Sequence, residues 1–194
     1  PDIKPYWLSM IGIYETNVRL YKYATIGGWN DPDMLEVGVG DLTAEENKTH
    51  FTLWCMMAAP LILGNDVRKF IHEDGSVATE NKILKILTNK NLIAIDQDKR
   101  GLQAKRILTN GLQDILVKPL ENNELAVCFL NKASSEKEMI QSIAKIHNEV
   151  YVDLPIAKEY EVTELWDNTT EVLSSEIKAT VPSHGVKVFR VQAK

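Results

Sequence analysis

Cysteine is scarce in this 194-residue sequence, with only Cys55 and Cys128 present. Each lies in an apolar run, Leu53 to Met57 and Leu125 to Leu130, so both are expected as buried free thiols. No CxxC pair accompanies them, and the four histidines (His50, His72, His147 and His184) are scattered. That spacing offers no zinc framework, and no metal or other cofactor is expected. An excess of basic residues is also absent. Lys plus Arg number 22 against 27 for Asp plus Glu, and both halves carry a small negative charge, which argues against a nucleic-acid partner. No apolar run approaches the roughly 18 residues that span a bilayer. The longest, Met56 to Leu63, is interrupted by Pro60, so no membrane partner is expected. The chain opens on Pro1-Asp2 without a signal-peptide pattern.

What is present divides into two patterns. Over residues 5 to 23, Trp7, Met10, Ile11, Tyr14, Val18 and Tyr21 recur at helical spacing, with Pro5 suited to the first turn. Thr43-Ala44-Glu45-Glu46 reads as a capping box, opening a helix that carries Phe51, Trp54 and Ala58 as far as Pro60. Leu61 to Leu63 suits a short buried strand. A third helix is expected from near Thr79 to Asn89–Asn91, followed by the apolar run Leu92 to Ile95. After Gly101 the period changes to two. Ile177, Ala179 and Val181 alternate with polar residues, as do Val150, Val152 and Leu154. Leu125 to Leu130 is continuous, as expected of a strand buried on both faces. The turn signals Glu121-Asn122-Asn123 and Ser183-His184-Gly185 separate these runs. The expectation is an α/β region over 1–102 and an all-β antiparallel sandwich over 103–194. Three strand–helix units leave parallel strands uncovered, so the chain is expected to be part of something longer or to have a complementing chain.

The densest chemical signal is Gly27-Gly28-Trp29-Asn30-Asp31-Pro32-Asp33-Met34-Leu35. Asp31 and Asp33 are two apart, which in extended backbone puts their carboxylates on one side. Trp29 shares that alternation. Carboxylates accept hydrogen bonds from sugar hydroxyls and an indole packs on a sugar ring, so this is a sensible saccharide site. The competing reading is a turn in which Asn30 and Asp31 bond back to the main chain.

The same stretch resembles the GGWNDPDML signature of glycoside hydrolase family 27. The resemblance continues through Thr49-His50-Phe51, Leu53-Trp54, Ala59 to Arg68, and Ile93 to Asp98. It implies the C-terminal part of a (β/α)₈ barrel followed by a β-sandwich, and a retaining hydrolase acting on an α-galactoside with two aspartates and no metal. Asp2-Ile3-Lys4-Pro5-Tyr6-Trp7-Leu8-Ser9-Met10 matches the family's acid/base stretch, which makes Asp2 the acid/base. Asp33 then contacts the galactose hydroxyls and Met34 lines the pocket, with Asp31 and Trp29 as supports. The family nucleophile lies in an upstream K-Y-D stretch that these residues do not contain, so the 194 residues alone are expected to be inactive. Val39 and Lys99-Arg100 depart from the family pattern in loops. α-N-Acetylgalactosaminidase and β-L-arabinopyranosidase activities stay open, as does a non-catalytic carbohydrate-binding module. The sequons at Asn47 and Asn168 carry little weight. A reducing, bacterial cytoplasmic setting is the expectation, although family members are also secreted or lysosomal.

Overall fold

The computed structural model describes residues 2–149 and 152–194. Its first part is helical. Helix α1 spans Trp7–Asn17 and passes into a 3-10 turn over Val18–Tyr23. Pro5 lies before this helix rather than in its first turn, and its carbonyl accepts the Asp41 N–H. Helix α2 spans Ala44–Met56 and begins on the capping box its sequence announces. The Thr43 hydroxyl accepts from the Glu46 N–H, and the Glu46 carboxylate accepts from the Thr43 N–H. The expected third helix is two short ones, α3 over Lys82–Leu87 and α4 over Lys90–Asp96. Asn81 and Asn89 each cap one of them, accepting the backbone N–H groups two and three residues further on. The start therefore falls at Asn81 rather than Thr79, because the side chain that satisfies the free donors sets the boundary. The run Leu92 to Ile95 lies within α4, with Leu92 and Ile95 buried and Ala94 exposed.

Two extended stretches run parallel between these helices. The Leu35 N–H donates to Ile62 and the Gly64 N–H returns to Leu35, at 2.7 and 2.9 Å. Leu61 to Leu63 is thus extended, but it is not buried as expected: Ile62 is 58% exposed and Leu63 42%. Among the described residues, nothing packs over that side of the pair.

From residue 105 onward the chain is mainly β. The strands are β1 (Lys105–Thr109), β2 (Gln113–Leu120), β3 (Glu124–Asn131), β4 (Lys137–Ser142), β5 (Tyr160–Glu164), β6 (Thr169–Leu173), β7 (Glu176–Val181) and β8 (Val186–Ala193). A six-stranded antiparallel sheet has the order β1-β2-β3-β8-β5-β6, and β4 pairs with β7 in a second sheet. A four-residue helix, α5 (Ile143–Ile146), follows β4. Val152 and Leu154 lie in no strand, and Val150 falls outside the described residues. Leu154 is nevertheless buried against the sandwich core, so it meets an apolar contact without a ladder.

Strand β3 explains how the two parts meet. Its side chains alternate between faces. Leu125, Val127 and Phe129 join a core with Met139, Ile177 and Val181, enclosed between the two sheets. Ala126, Cys128 and Leu130 point the other way and join Met10, Tyr14, Trp54, Leu92 and Ile95 from the helical part. The run is apolar throughout because both faces are covered. A buried polar cluster pins α1 to the sheet. The Tyr14 hydroxyl donates to Asp114 at 2.8 Å, while Arg106 and Lys132 each bridge Asp114 and Glu15. Cys55 and Cys128 are free and buried. Asn47 is buried with its amide bonded to Leu42 and Thr43 carbonyls, so it is no glycan acceptor in the folded chain. Among the described residues, no helix is long and apolar enough to cross a membrane.

Candidate saccharide site

The signature stretch enters through a tight turn. Thr25 and Gly28 exchange backbone hydrogen bonds at 3.0 and 2.9 Å, with Gly27 at φ +84°. Trp29 follows, 47% exposed. Asn30 is drawn away from its own backbone. Its amide donates to the Leu20 carbonyl and to Gln103, whose own amide donates to Asn17. This ties the loop to the end of α1.

Asp31 and Asp33 do not sit on one extended strand. Asp31 accepts the Asp33 N–H at 2.9 Å, a turn closed by its side chain, and Asp33 has φ +77°. The turn reading is therefore correct for Asp31, and the alternation argument fails there. A positive φ is costly for a non-glycine residue, and here hydrogen bonds fix it. The Asp33 carboxylate accepts the Ile3 N–H through Oδ2 at 2.9 Å and the Met34 N–H through Oδ1 at 2.8 Å. The Trp54 indole N–H donates to the Asp33 carbonyl at 2.8 Å. Trp54 is fully buried on α2, so this helix carries the turn from behind.

These bonds set the electrostatics. The Ile3 and Met34 amides hold the Asp33 carboxyl below the usual carboxylate range, because they bond to its charged form. Glu36 shifts the other way, raised by partial burial and by the Asp33 charge. Each Asp33 oxygen spends one acceptor position on the backbone and keeps another for a ligand hydroxyl. Asp2 is exposed, one residue from the amide that Asp33 holds. Met34 is 40% exposed and passes close to Gly64, where a Cβ would lie 3.0 Å from its sulfur.

Asp31 and Asp33 line one hollow of about 490 Å³ with Asn17, Leu20 and Asn30. Trp29 lines a different cavity of about 290 Å³, beside Ala58, Pro60 and Asp96. The structure thus groups the two aspartates and does not bring the Trp29 ring to them. Sequence reasoning overlooked Trp54 and Glu36. Trp54 is on the apolar face of a well-marked helix, where an indole reads as core, and its polar duty depends on a partner 21 positions away. Among the described residues, no group of His, Cys, Asp and Glu could hold a metal ion.

Residues 1–98 match the family model described as alpha galactosidase A, and residues 110–191 match the alpha galactosidase C-terminal beta sandwich domain. The chain belongs to glycoside hydrolase family 27. Within that family it is 35% identical over 189 residues to an alpha-galactosidase of Cyamopsis tetragonoloba, covering 97% of this chain and 42% of the relative. It is 36% identical over 213 residues to alpha-galactosidase A of Cellvibrio japonicus (strain Ueda107), covering 100% of this chain and 49% of the relative. The crystal structure of alpha-galactosidase I from Mortierella vinacea superposes with a TM-score of 0.84 at 33% identity, over 95% of this chain and 45% of that one. The chain spans about half the length of the curated relatives it matches. Its fold is accordingly the C-terminal part of a family-27 barrel joined to the family's antiparallel β-sandwich.

Proposed function

We propose that these residues supply the acid/base and sugar-holding side of a retaining α-galactosidase site. The carrying observation is the hydrogen bond from the Ile3 N–H to Asp33 Oδ2 at 2.9 Å, which brings the stretch bearing Asp2 against the aspartate proposed to hold galactose. In this reading an upstream carboxylate attacks the anomeric carbon while the glycosidic C–O bond breaks, and Asp2 gives its proton to the leaving oxygen. Asp2 then takes a proton from water as the water oxygen attacks the same carbon and the bond to the upstream carboxylate breaks, which frees that carboxylate and releases galactose with retention. Asp33, ionised, accepts from galactose hydroxyls, and Met34 forms an apolar edge beside them. Asp31 supports Asp33 by fixing its backbone N–H. Trp29 has no assigned contact with this sugar.

The two parts are read as a barrel region over 1–102 and a sandwich over 103–194. The exposed Ile62 and Leu63 fit a parallel pair whose uncovered side meets the upstream half of a barrel, in the same polypeptide or in a complementing chain. The free thiols fit a reducing compartment.

The test joins these residues to the upstream barrel half of a family member and assays p-nitrophenyl α-galactoside. The expected result is release of p-nitrophenol that Asp33→Asn weakens mainly through KM, with no turnover by the 194 residues alone. Turnover unaffected by D33N, or turnover by the 194 residues alone, would remove the assignment.

A further inference from the structure

A turn of the sandwich reaches the acid/base stretch at Trp7. Pro182 to Gly185 connects β7 to β8, and His184 at its tip has φ +51°. Three elements hold this strained residue. Its ring stacks on the Trp7 indole, with centroids 4.1 Å apart and planes 7° from parallel. Its Nδ1 lies 2.6 Å from Glu46 Oε1, and its carbonyl accepts the Thr49 hydroxyl at 2.7 Å. The turn itself is fixed from the sandwich side, where the Asn131 amide donates to the Val181 and Pro182 carbonyls. Backbone strain that is over-determined in this way marks a position with a task.

Trp7 is the first residue of α1, and the residues before it are tethered in series. The Tyr6 N–H donates to Lys4, the Lys4 N–H to the Ser9 hydroxyl at 2.9 Å, and the Ile3 N–H to Asp33. Moving Trp7 therefore moves the whole 2–6 stretch. We propose that His184 is a positioning residue, through which the sandwich holds Asp2 and Asp33 in register by stacking on Trp7. The ring supplies the plane, and Glu46, itself locked in the α2 capping box, sets the ring's orientation. The proposal rests on the reading of Asp2 as the acid/base, but its geometric part is measurable without activity.

In the 194-residue chain, amide hydrogen exchange reads the tether directly. In H184A, exchange at Ile3 and Lys4 is expected to quicken at least about tenfold, while β3 and β8 amides stay protected and report an intact fold. The Asp33 carboxyl, losing the Ile3 amide, rises toward its ordinary range in a pH titration of its side-chain carbon signal. H184F keeps the stacked ring and is expected to restore protection to within about threefold. H184Q, which keeps a donor for Glu46 but no ring, should behave like H184A and serves if the alanine variant loses its β protection. Unchanged exchange at Ile3 in H184Q, or a phenylalanine variant as loose as glutamine, overturns the proposal. In the chain joined to an upstream barrel half, H184Q is expected to lower kcat about tenfold for an alkyl α-galactoside, whose leaving oxygen needs the acid, with KM within twofold. For the dinitrophenyl α-galactoside, whose leaving group needs little protonation, kcat/KM, which reports only the first step, should change less than twofold. Equal losses on both substrates contradict positioning. D2N run in parallel separates the two readings: without leaving-group dependence in D2N the acid/base assignment fails, and with it in D2N but not in H184Q the positioning role fails.

Discussion

The helical part and the sandwich place their apolar side chains in opposite ways. The sandwich encloses a core of its own, with Phe129, Val127 and Leu125 from one sheet against Met139, Ile177 and Val181 nearby. The core of the helical part is shared with the sandwich. Met10, Tyr14, Phe51 and Trp54 are buried in one cluster with Leu35, Leu53, Leu92 and Ile95 of their own part and with the outer face of β2, β3 and β8, while Ile26, Ile62 and Leu63 lie open. An antiparallel sandwich closes on itself within a short length of chain, whereas a parallel barrel needs neighbours on both edges of every strand. The difference teaches where the candidate site gets its rigidity. Asp33 is held from behind by Trp54, and Trp54 belongs to the core that the two parts share.

That contrast can be broken at several points. The largest effect is expected in the closed core, where Phe129→Ala should cost about 3–5 kcal/mol in chemical denaturation, through lost burial and a residual cavity. Asp114→Ala attacks the seam instead. It removes the buried carboxylate that Tyr14, Arg106 and Lys132 share, leaving cations without that partner, and a loss on the order of 3 kcal/mol is expected. If the helical part stood alone, this seam variant would unfold no more easily than the wild type.

Acid offers a milder test. His50 is fully buried against Trp54, and among the described residues neither ring nitrogen has a hydrogen-bond partner. Burial pushes its pKa down to about 3, while the unfolded chain takes up the proton near 6.5. The unfolded state therefore binds more protons as pH falls below about 6.5, and its folded counterpart does so only near 3. Stability contributed by neutral His50 is full above that window and falls within it, by up to about 1.4 kcal/mol per pH unit. His50→Phe should flatten this limb, and an unchanged acid limb in the variant would assign it to other groups. The smallest effect is expected at the open edge. Ile62→Ser should change the stability of these residues by less than about 0.5 kcal/mol, yet impair folding clearly once an upstream barrel half covers it.

Much of this organisation is legible in the residues themselves. The capping box at Thr43 and the two-sided apolar run at Leu125 to Leu130 follow from local chemistry and period. The split of the third helix was within reach too, since Asn81 and Asn89 are both cap residues, but the apolar spacing of Ile83, Leu84, Ile86 and Leu87 dominates the pattern. Leu154 is buried without joining a ladder, which alternation cannot distinguish from a strand. In the site, the proximity of Asp31 and Asp33 was readable, but their geometry was not. The positive φ of Asp33 depends on bonds from Ile3 and Trp54, both distant in sequence. Asp2 stands out by resemblance alone, and His184 reads as an ordinary turn residue until its ring is found on Trp7.

The account turns on positions 2 and 33 facing one bound sugar. The most direct measurement follows the side-chain carboxyl carbons of Asp2 and Asp33 by NMR while galactose is added to the chain joined to an upstream barrel half. Both signals should move along one saturation curve, and glucose should leave them still. Movement of one carboxyl without the other, or of neither while the cavity beside Trp29 and Asp96 responds, would contradict it.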